Sequence, residues 1–499
     1  MASFFTTFRE AYGELADVHA VLQVLSWDQQ TCMPPKGAEV RARQMATLEG
    51  ILHEKVIDPR WDDLLAEARA RADELTADER AFVREFRFER ERRVKLPTAL
   101  VKELALAQAE GFEAWHSARR KSEFSIFAPC LERLLSLTRQ KADCFGWTET
   151  PWNALVEDFE RGMTAARLRE VFAPLETALP ALVERIRSAP QVPTRFLAQK
   201  WNTARQREFN ERVARDLGYD FEAGRLDIAP HPFTTGFGIR DVRITTRYNE
   251  NSCLDSLSGT IHETGHALFD QGFRGEDERT LLAASPSYGV HESQSRFWEI
   301  FIGQSRPFWE HYLPILRQYF PGQLTDVDAE TMYRAINRVE PSLIRVDADE
   351  VTYNLHILIR FNIELDLLDG RLTVRDLPAE WNRRYRALLG VDVPDDARGC
   401  LQDVHWAYGS FSYFPSYTLG NMYAAMLAEA MERDRPTLRE DVAAGRFAGI
   451  LEWLREKIHR VGRRMEAIPL IEQATGECVG SDALLRHLTR KYADIYRLS

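Results

Sequence analysis

The sequence predicts a mainly α protein: one large helical body with a single small β-sheet next to the helix that carries a His-Glu-x-x-His motif. Three observations predict this. Apolar residues recur at spacings of three and four over most of the 499 residues, between stretches dense in Ala, Glu, Arg and Leu. One stretch after Gly218 is instead short-ranged and rich in Pro and Gly, and it ends in the alternating, β-branched run Asp241–Tyr248. Immediately beyond it, His262-Glu263-x-x-His266 sits in an apolar, helically spaced segment.

Taken in order, the first helix runs from Phe4 to about Leu25, and Pro34-Pro35 end it. A second spans about Ala38–His53, with a break at Asp58-Pro59. Trp61–Val94 reads as long amphipathic helix with a solvated charged face. Pro97 starts another helix that reaches about Ser122, Phe127–Gln140 continues the pattern, Thr148–Glu160 reads as a loop, and helix returns near Thr164–Ser188. The sheet falls between Leu226 and Tyr248, and one of its strands could pair with an extended peptide or simply close the core. After the motif helix, Glu276–Pro286 reads as a loop and a new helix starts at His291. Further helices are expected at Ala329–Val339, Asp349–Leu368, Ala379–Leu388, Asn421–Arg433, Arg446–Val461 and Ser481–Arg497. The run Tyr408–Gly420 is too aromatic for a slack linker and is expected to line something. No repeat divides the chain. It reads as one domain, 1–499, with a helical N-terminal part to about 218, a core over about 219–420 and C-terminal helices beyond.

Composition narrows the function classes. The chain is 44% hydrophobic and 28% charged, which suits a soluble globular protein. Its net charge of −11 leaves no basic excess for nucleic acid. Six scattered cysteines form no C-x-x-C pair, which favours reduced thiols. Met1–Glu10 lacks a signal-peptide pattern, and no window approaches the roughly 20 apolar residues of a membrane span. A cytoplasmic protein is the expectation.

The motif carries the chemistry. Histidines four apart on a helix share a face, roughly 6 Å along the axis, so both rings reach one Zn²⁺ ion. Glu263 lies beside that face, where a carboxylate takes a proton from water activated by the metal. Asn251 and Ser252 are plausible caps, Gly272 and Gly275 offer a stop, and two unpaired histidines in an apolar helix would be costly to bury. A catalytic zinc keeps three protein ligands and one open position. Glu292, 26 residues past His266, leaves room for a helix end, a loop and a returning helix, with Glu299 as the fallback. Glu276, Asp277 and Glu278 lie too close, and His291 should point elsewhere. A carboxylate commonly orients a ligating histidine from one turn beyond the third ligand. Arg296 stands there instead, so another group is required.

Six motifs in order extend the reading over most of the chain. They are His231-Pro232-Phe233, Asp241-x-Arg243-x-Thr245, His262-Glu263-x-x-His266, His291-Glu292-Ser293-Gln294, Ile344-Arg345-x-x-Ala348-Asp349 and Gly399-x-x-Gln402-Asp403-x-His405-Trp406. With Trp27-Asp28-Gln29 and Met33-Pro34, the chain resembles the carboxypeptidase Taq family, zinc carboxypeptidases of the gluzincin type. The resemblance implies a helical body with a deep groove, removal of single residues from free peptide C-termini with broad specificity, and a homodimer. It implies one Zn²⁺ per chain, which Co²⁺ or Mn²⁺ could replace. It also implies oxyanion donors in His405 and Tyr413, with Tyr408 and Tyr417 as rivals to Tyr413. A guanidinium recognises a carboxylate through two parallel bonds. Arg345 is the leading choice by its motif, Arg243 and Arg247 are rivals, and an aspartate such as Asp349 or Asp241 could tie any of them up. His231 joins Arg345 and Arg243 as a candidate for substrate binding. The alternatives are an oligopeptidase cutting within short peptides, with the same zinc and glutamate, and a helical scaffold with a structural metal.

Overall fold

The computed structural model describes residues 4–498. Most of it is helical, with one three-stranded sheet ordered β1 (Leu226–Ile228), β3 (Asp241–Thr246), β2 (Thr234–Gly238). β1 runs parallel to β3, pairing Leu226 with Ile244. β2 runs antiparallel, pairing Thr234 with Ile244, and a bulge falls between Gly236 and Gly238. The alternation seen in the sequence is real here. Val242 and Ile244 are fully buried against the large core, and β2 occupies one sheet edge.

The expected helices are present, with shifted ends and some departures. The first runs on to Thr31, so Trp27 and Asp28 lie in its last turns, and Pro34-Pro35 still prevent its continuation. Trp61–Val94 is two helices, Arg60–Ala70 and Ala77–Val94. The second begins at a capping box in which Thr76 and Glu79 satisfy each other's amides. Thr148–Glu160 is not all loop. Pro151 at the first turn and the Thr150 hydroxyl on the Trp152 amide start a short helix, Pro151–Val156. Helices Thr203–Leu217, Arg306–Tyr319, Leu438–Ala443 and Ala467–Thr475 are additional. In the aromatic run, helix begins at Pro415 and continues to Asp434.

Apolar burial is divided. A large core runs from Trp115 to Tyr496 and encloses the sheet and the motif helix. The first four helices close around a second core of Phe8, Trp61, Phe82 and Phe86. Leu281 and Leu282, from the loop after the motif helix, insert into it. Ion pairs also join the two bodies: Arg464 with Asp78, Arg279 with Asp17, Arg161 with Glu85, and Arg92 with Asp158. Between them lies a cavity of about 800 Å³, lined by Phe86 and Arg93 on one side and Phe237, Asp270, Tyr288 and His291 on the other. Its lining includes Asp270 and His291 but none of His262, Glu263, His266 and Glu292.

Candidate metal centre and active site

Two helices that give Asp270, Tyr288 and His291 to the lining of this cavity meet beside it. The first, Leu254–Asp270, begins where the Ser252 hydroxyl accepts the Asp255 amide at 3.3 Å. It buries Leu257, Ile261, Leu268 and Phe269. The second, Tyr288–Arg296, begins where Ser287 accepts the Val290 amide at 3.0 Å. They cross at Gly265. A Cβ there would lie 2.6 Å from the Gln294 carbonyl and the Ser295 Cα, so any larger residue would force the helices apart. The second helix packs most heavily against Pro415–Asp434. A Cβ on Gly420 of that helix would lie 2.5 Å from Cγ of Glu292.

This crossing brings His262, His266 and Glu292 together, as their spacing led us to expect. They are the one group of potential ligands found among the described residues, with their ligand atoms all within 4.8 Å of one another. Glu292 Oε2 lies 3.7 Å from His262 Nε2 and 3.5 Å from His266 Nε2. Tetrahedral coordination with bonds of about 2.0–2.1 Å separates ligand atoms by about 3.3 Å. Two imidazoles and a carboxylate at this spacing therefore fit a divalent cation. The electrostatics fit as well. Burial opposes the charge on His262, yet Glu292 and Glu299 push it up to about 9. Glu292 and Glu299 are held down to about 2 in spite of burial, by His262 and Arg296 respectively. Such a cluster of carboxylates draws positive charge.

Glu299 is the group that orients a ligand ring. Its Oε2 lies 2.9 Å from His262 Nδ1 and accepts from Arg296 Nη1 at 2.7 Å, while its Oε1 accepts from Ser258 Oγ at 2.8 Å. It stands two turns beyond Glu292, on a π-helical turn, Phe297–Gly303, that continues the second helix. It is engaged with Nδ1 of His262, on the other side of that ring from the ligand trio. Arg296, which had looked like an anomaly, holds Glu299 in place and is itself held by Asn421. His291 turns its Nε2 to Asp270 at 3.3 Å, while its ring stacks on His266 at 4.2 Å.

Glu263 is buried beside the trio. Thr234 Oγ1, on β2, lies 2.7 Å from its Oε2, which leaves Oε1 free. Burial raises the Glu263 carboxyl above its ordinary value, against the pull of His262 and Thr234. A carboxylate so raised is a better proton acceptor.

The remaining candidates divide. His405 Nε2 lies 3.2 Å from the Tyr417 hydroxyl, and its ring is 5.4 Å from that of Tyr413. Burial lowers His405 to about 4, which keeps it neutral. Tyr413 is raised by burial and by the charge on Glu292, so it keeps its proton. Tyr408 lies outside, half-exposed and stacked on Phe112, whereas Tyr417 remains beside Tyr413. Arg345 is only 5% exposed and its fork is taken. Nε and Nη2 donate to Asp403 at 3.0 and 2.8 Å, and Nη1 donates to the Tyr353 hydroxyl at 3.0 Å. Asp403 also pairs with Arg360, so two guanidiniums share one carboxylate and leave one net positive charge. Asp349 instead caps the helix Thr352–Leu368. Arg243 is bound through two bonds to Asp241 and lies over the rings of Trp27 and Phe237, tying the first helix to the sheet. Arg247 and His231 are exposed, His231 on the connection just before β2.

Sequence reasoning missed Thr234 and Tyr353, and it offered Glu299 only as a fallback ligand, whereas its carboxylate engages Nδ1 of His262. The Arg296-x-x-Glu299 pair was a signal, since a buried arginine on a ligand helix calls for a carboxylate within a turn. Nothing local marks Thr234 or Tyr353.

Comparison with known proteins agrees with this geometry. The family model described as carboxypeptidase Taq (M32) metallopeptidase matches residues 7–492. Thermostable carboxypeptidase 1 of Thermus thermophilus is 42% identical over 499 residues, covering 98% of each chain. Carboxypeptidase 1 of Bacillus subtilis is 39% identical over 492 residues, again covering 98% of each. Among solved structures, the M32 carboxypeptidase of Deinococcus radiodurans superposes with a TM-score of 0.97 at 41% identity, covering 99% of this chain and 100% of that one.

Proposed function

The chain belongs to the carboxypeptidase Taq family and is a metallocarboxypeptidase, and from that premise we propose that it releases single C-terminal residues from peptides with broad specificity, using Glu263 as the base. The observation that carries this reading is the placement of Glu263. Its free Oε1 stands beside the trio His262, His266 and Glu292, while Oε2 is held by Thr234.

His262, His266 and Glu292 would hold the cation. Two imidazoles and a carboxylate suit Zn²⁺, and Co²⁺ or Mn²⁺ could replace it. When bound, the cation supplies Lewis acidity, polarising a carbonyl and acidifying water. Glu263 accepts the water proton at Oε1 and delivers it to the departing amine. His405 and Tyr413, both kept in their neutral forms, donate hydrogen bonds where negative charge develops. Donors so placed are worth about 3 kcal/mol each. Arg345 serves the substrate carboxylate through the net charge of the Arg345–Asp403–Arg360 cluster, and the hydroxyls of Tyr353 and Tyr417 are donors beside it. Arg243 serves indirectly, by fixing the strand next to β2, and His231 flanks the approach to that strand. The edge of β2 along the cavity suits pairing with an extended substrate main chain. Six free cysteines suit a reducing, cytoplasmic setting, and no described helix is long and apolar enough to cross a membrane. A homodimer is proposed from the family.

The test compares an N-acetylated peptide with its C-terminally amidated twin, read by mass spectrometry, on wild type and Glu263→Gln. Wild type should shorten the free acid one residue at a time and lose most activity on the amide. Glu263→Gln should keep its metal while kcat falls by about 10²–10⁴. Internal fragments from both peptides would favour the oligopeptidase reading, and unchanged turnover in the variant would remove Glu263 as the base.

A further inference from the structure

The first turn of the second ligand helix is held by a piece of chain far from it in sequence. The Tyr288 amide donates to the Phe159 carbonyl at 3.1 Å, and the Gly289 amide donates to Oε1 of Glu160. Glu160 is 1% exposed. A Cβ on Gly289 would lie 2.9 Å from Oε1 and 3.0 Å from Oε2 of that carboxyl, so glycine is what lets the two approach. The hydroxyls of Ser287 and Ser416 flank the same group. Ser416 lies in the first turn of Pro415–Asp434, the helix whose Gly420 faces Glu292. Glu160 therefore sits between the first turns of the two helices that enclose Glu292. Phe159, next to it, packs its ring edge-on against Tyr288 and Tyr413.

A buried carboxyl with no paired cation is costly, and capping does not require this one, because Ser287 already caps the helix. We propose that Glu160 is a positioning residue for the metal centre, pinning the starts of both helices and so fixing where the Glu292 carboxylate stands. The proposal rests on the reading of Glu292 as the third ligand. Burial pushes the Glu160 carboxyl up to about 7, so much of it is protonated at neutral pH, while its Oε2 and the nearby Ser416 Oγ each lack a hydrogen-bond partner. A glutamine, neutral and still able to accept the Gly289 amide at Oε1, should therefore reproduce its role.

The test measures Zn²⁺ affinity by chelator competition on the apoprotein, together with kcat, KM and the thermal midpoint of the apoprotein. Glu292→Ala serves as the control for the ligand reading. Glu160→Ala should lower Zn²⁺ affinity by about tenfold or more and lower kcat, with KM within about twofold. Glu160→Gln should recover most of both. Should the alanine variant fail to fold, Glu160→Asp keeps the carboxyl and withdraws it by one methylene, and it should show the same loss. A merely structural role would lower the midpoint and leave the affinity of the folded protein alone. Wild-type affinity and kcat in a folded Ala or Asp variant would overturn the proposal, as would equal losses in the Gln and Ala variants. If Glu292→Ala itself keeps full affinity, it is the ligand reading that has failed.

Discussion

Glu299→Gln is the sharpest probe of the metal centre, because it alters one charge and little volume. In the native protein, Glu299 accepts from Ser258 and Arg296 at 2.8 and 2.7 Å and fixes His262 through Nδ1 at 2.9 Å. The hydrogen bond to a charged acceptor is worth about 1.5–3 kcal/mol. Loss of such a partner to a ligating histidine lowers metal affinity about 10–100-fold, or about 1.4–2.7 kcal/mol, and the two ranges agree. Part of the change falls on Arg296, which keeps Asn421 at 2.7 Å but loses its closest carboxylate. The variant should therefore bind Zn²⁺ about 10–100-fold more weakly, and its apoprotein should melt somewhat lower. Competition with a chromophoric chelator measures the first effect and calorimetry of the metal-free protein the second. Affinity within twofold of wild type would refute the argument that Glu299 sets the orientation and basicity of His262.

Two further outcomes follow from other parts of the structure. Gly420→Ala places a methyl 2.5 Å from Cγ of Glu292, an overpacking that should cost about 1–3 kcal/mol and lower kcat by displacing that carboxylate; thermal melting and steady-state kinetics check both. Glu364, which accepts the Trp406 and Ser412 N–H groups at 2.9 Å each, is pushed by burial up to about 7. Because its folded value is the higher one, its contribution is fully present below about 4.5 and is lost as pH rises through 7, amounting to about 3 kcal/mol. The difference in thermal midpoint between wild type and Glu364→Gln should shift in favour of the variant between pH 5 and pH 8. A constant difference would contradict it.

Much of the fold could be read from local pattern, because helical periodicity, proline and cap residues act within a few positions of one another. The early helices, the change of texture after Gly218 and the strand at Asp241–Thr246 are of this kind. The boundaries that moved depended on single groups: the Thr76–Glu79 box splits one expected helix, and Pro151 with Thr150 starts another inside an expected loop. That the first four helices close around a core of their own was not visible, since Leu281 and Leu282 join it from about two hundred residues away.

The amino-acid sequence by itself determined the grouping of His262, His266 and Glu292 and the place of Glu263 beside it. His262 and His266 share a helix face by their spacing, Glu263 follows from that face, and the length of chain to Glu292 allows its helix to return. Only tertiary packing decided what the other charged groups do. Arg345 and Arg243 could each have grasped a substrate carboxylate or been tied up by an aspartate, and in the fold each is engaged by one, Asp403 and Asp241 respectively. Glu299 became the partner of His262 because a π-helical turn faces it inward, and Thr234 reached Glu263 from a separate strand. The physical reason is one of range. Ligand spacing along a helix is set by backbone geometry over a single turn. The partner of a charged side chain is whichever opposite charge the folded chain brings within about 3 Å, and residue spacing carries no record of that.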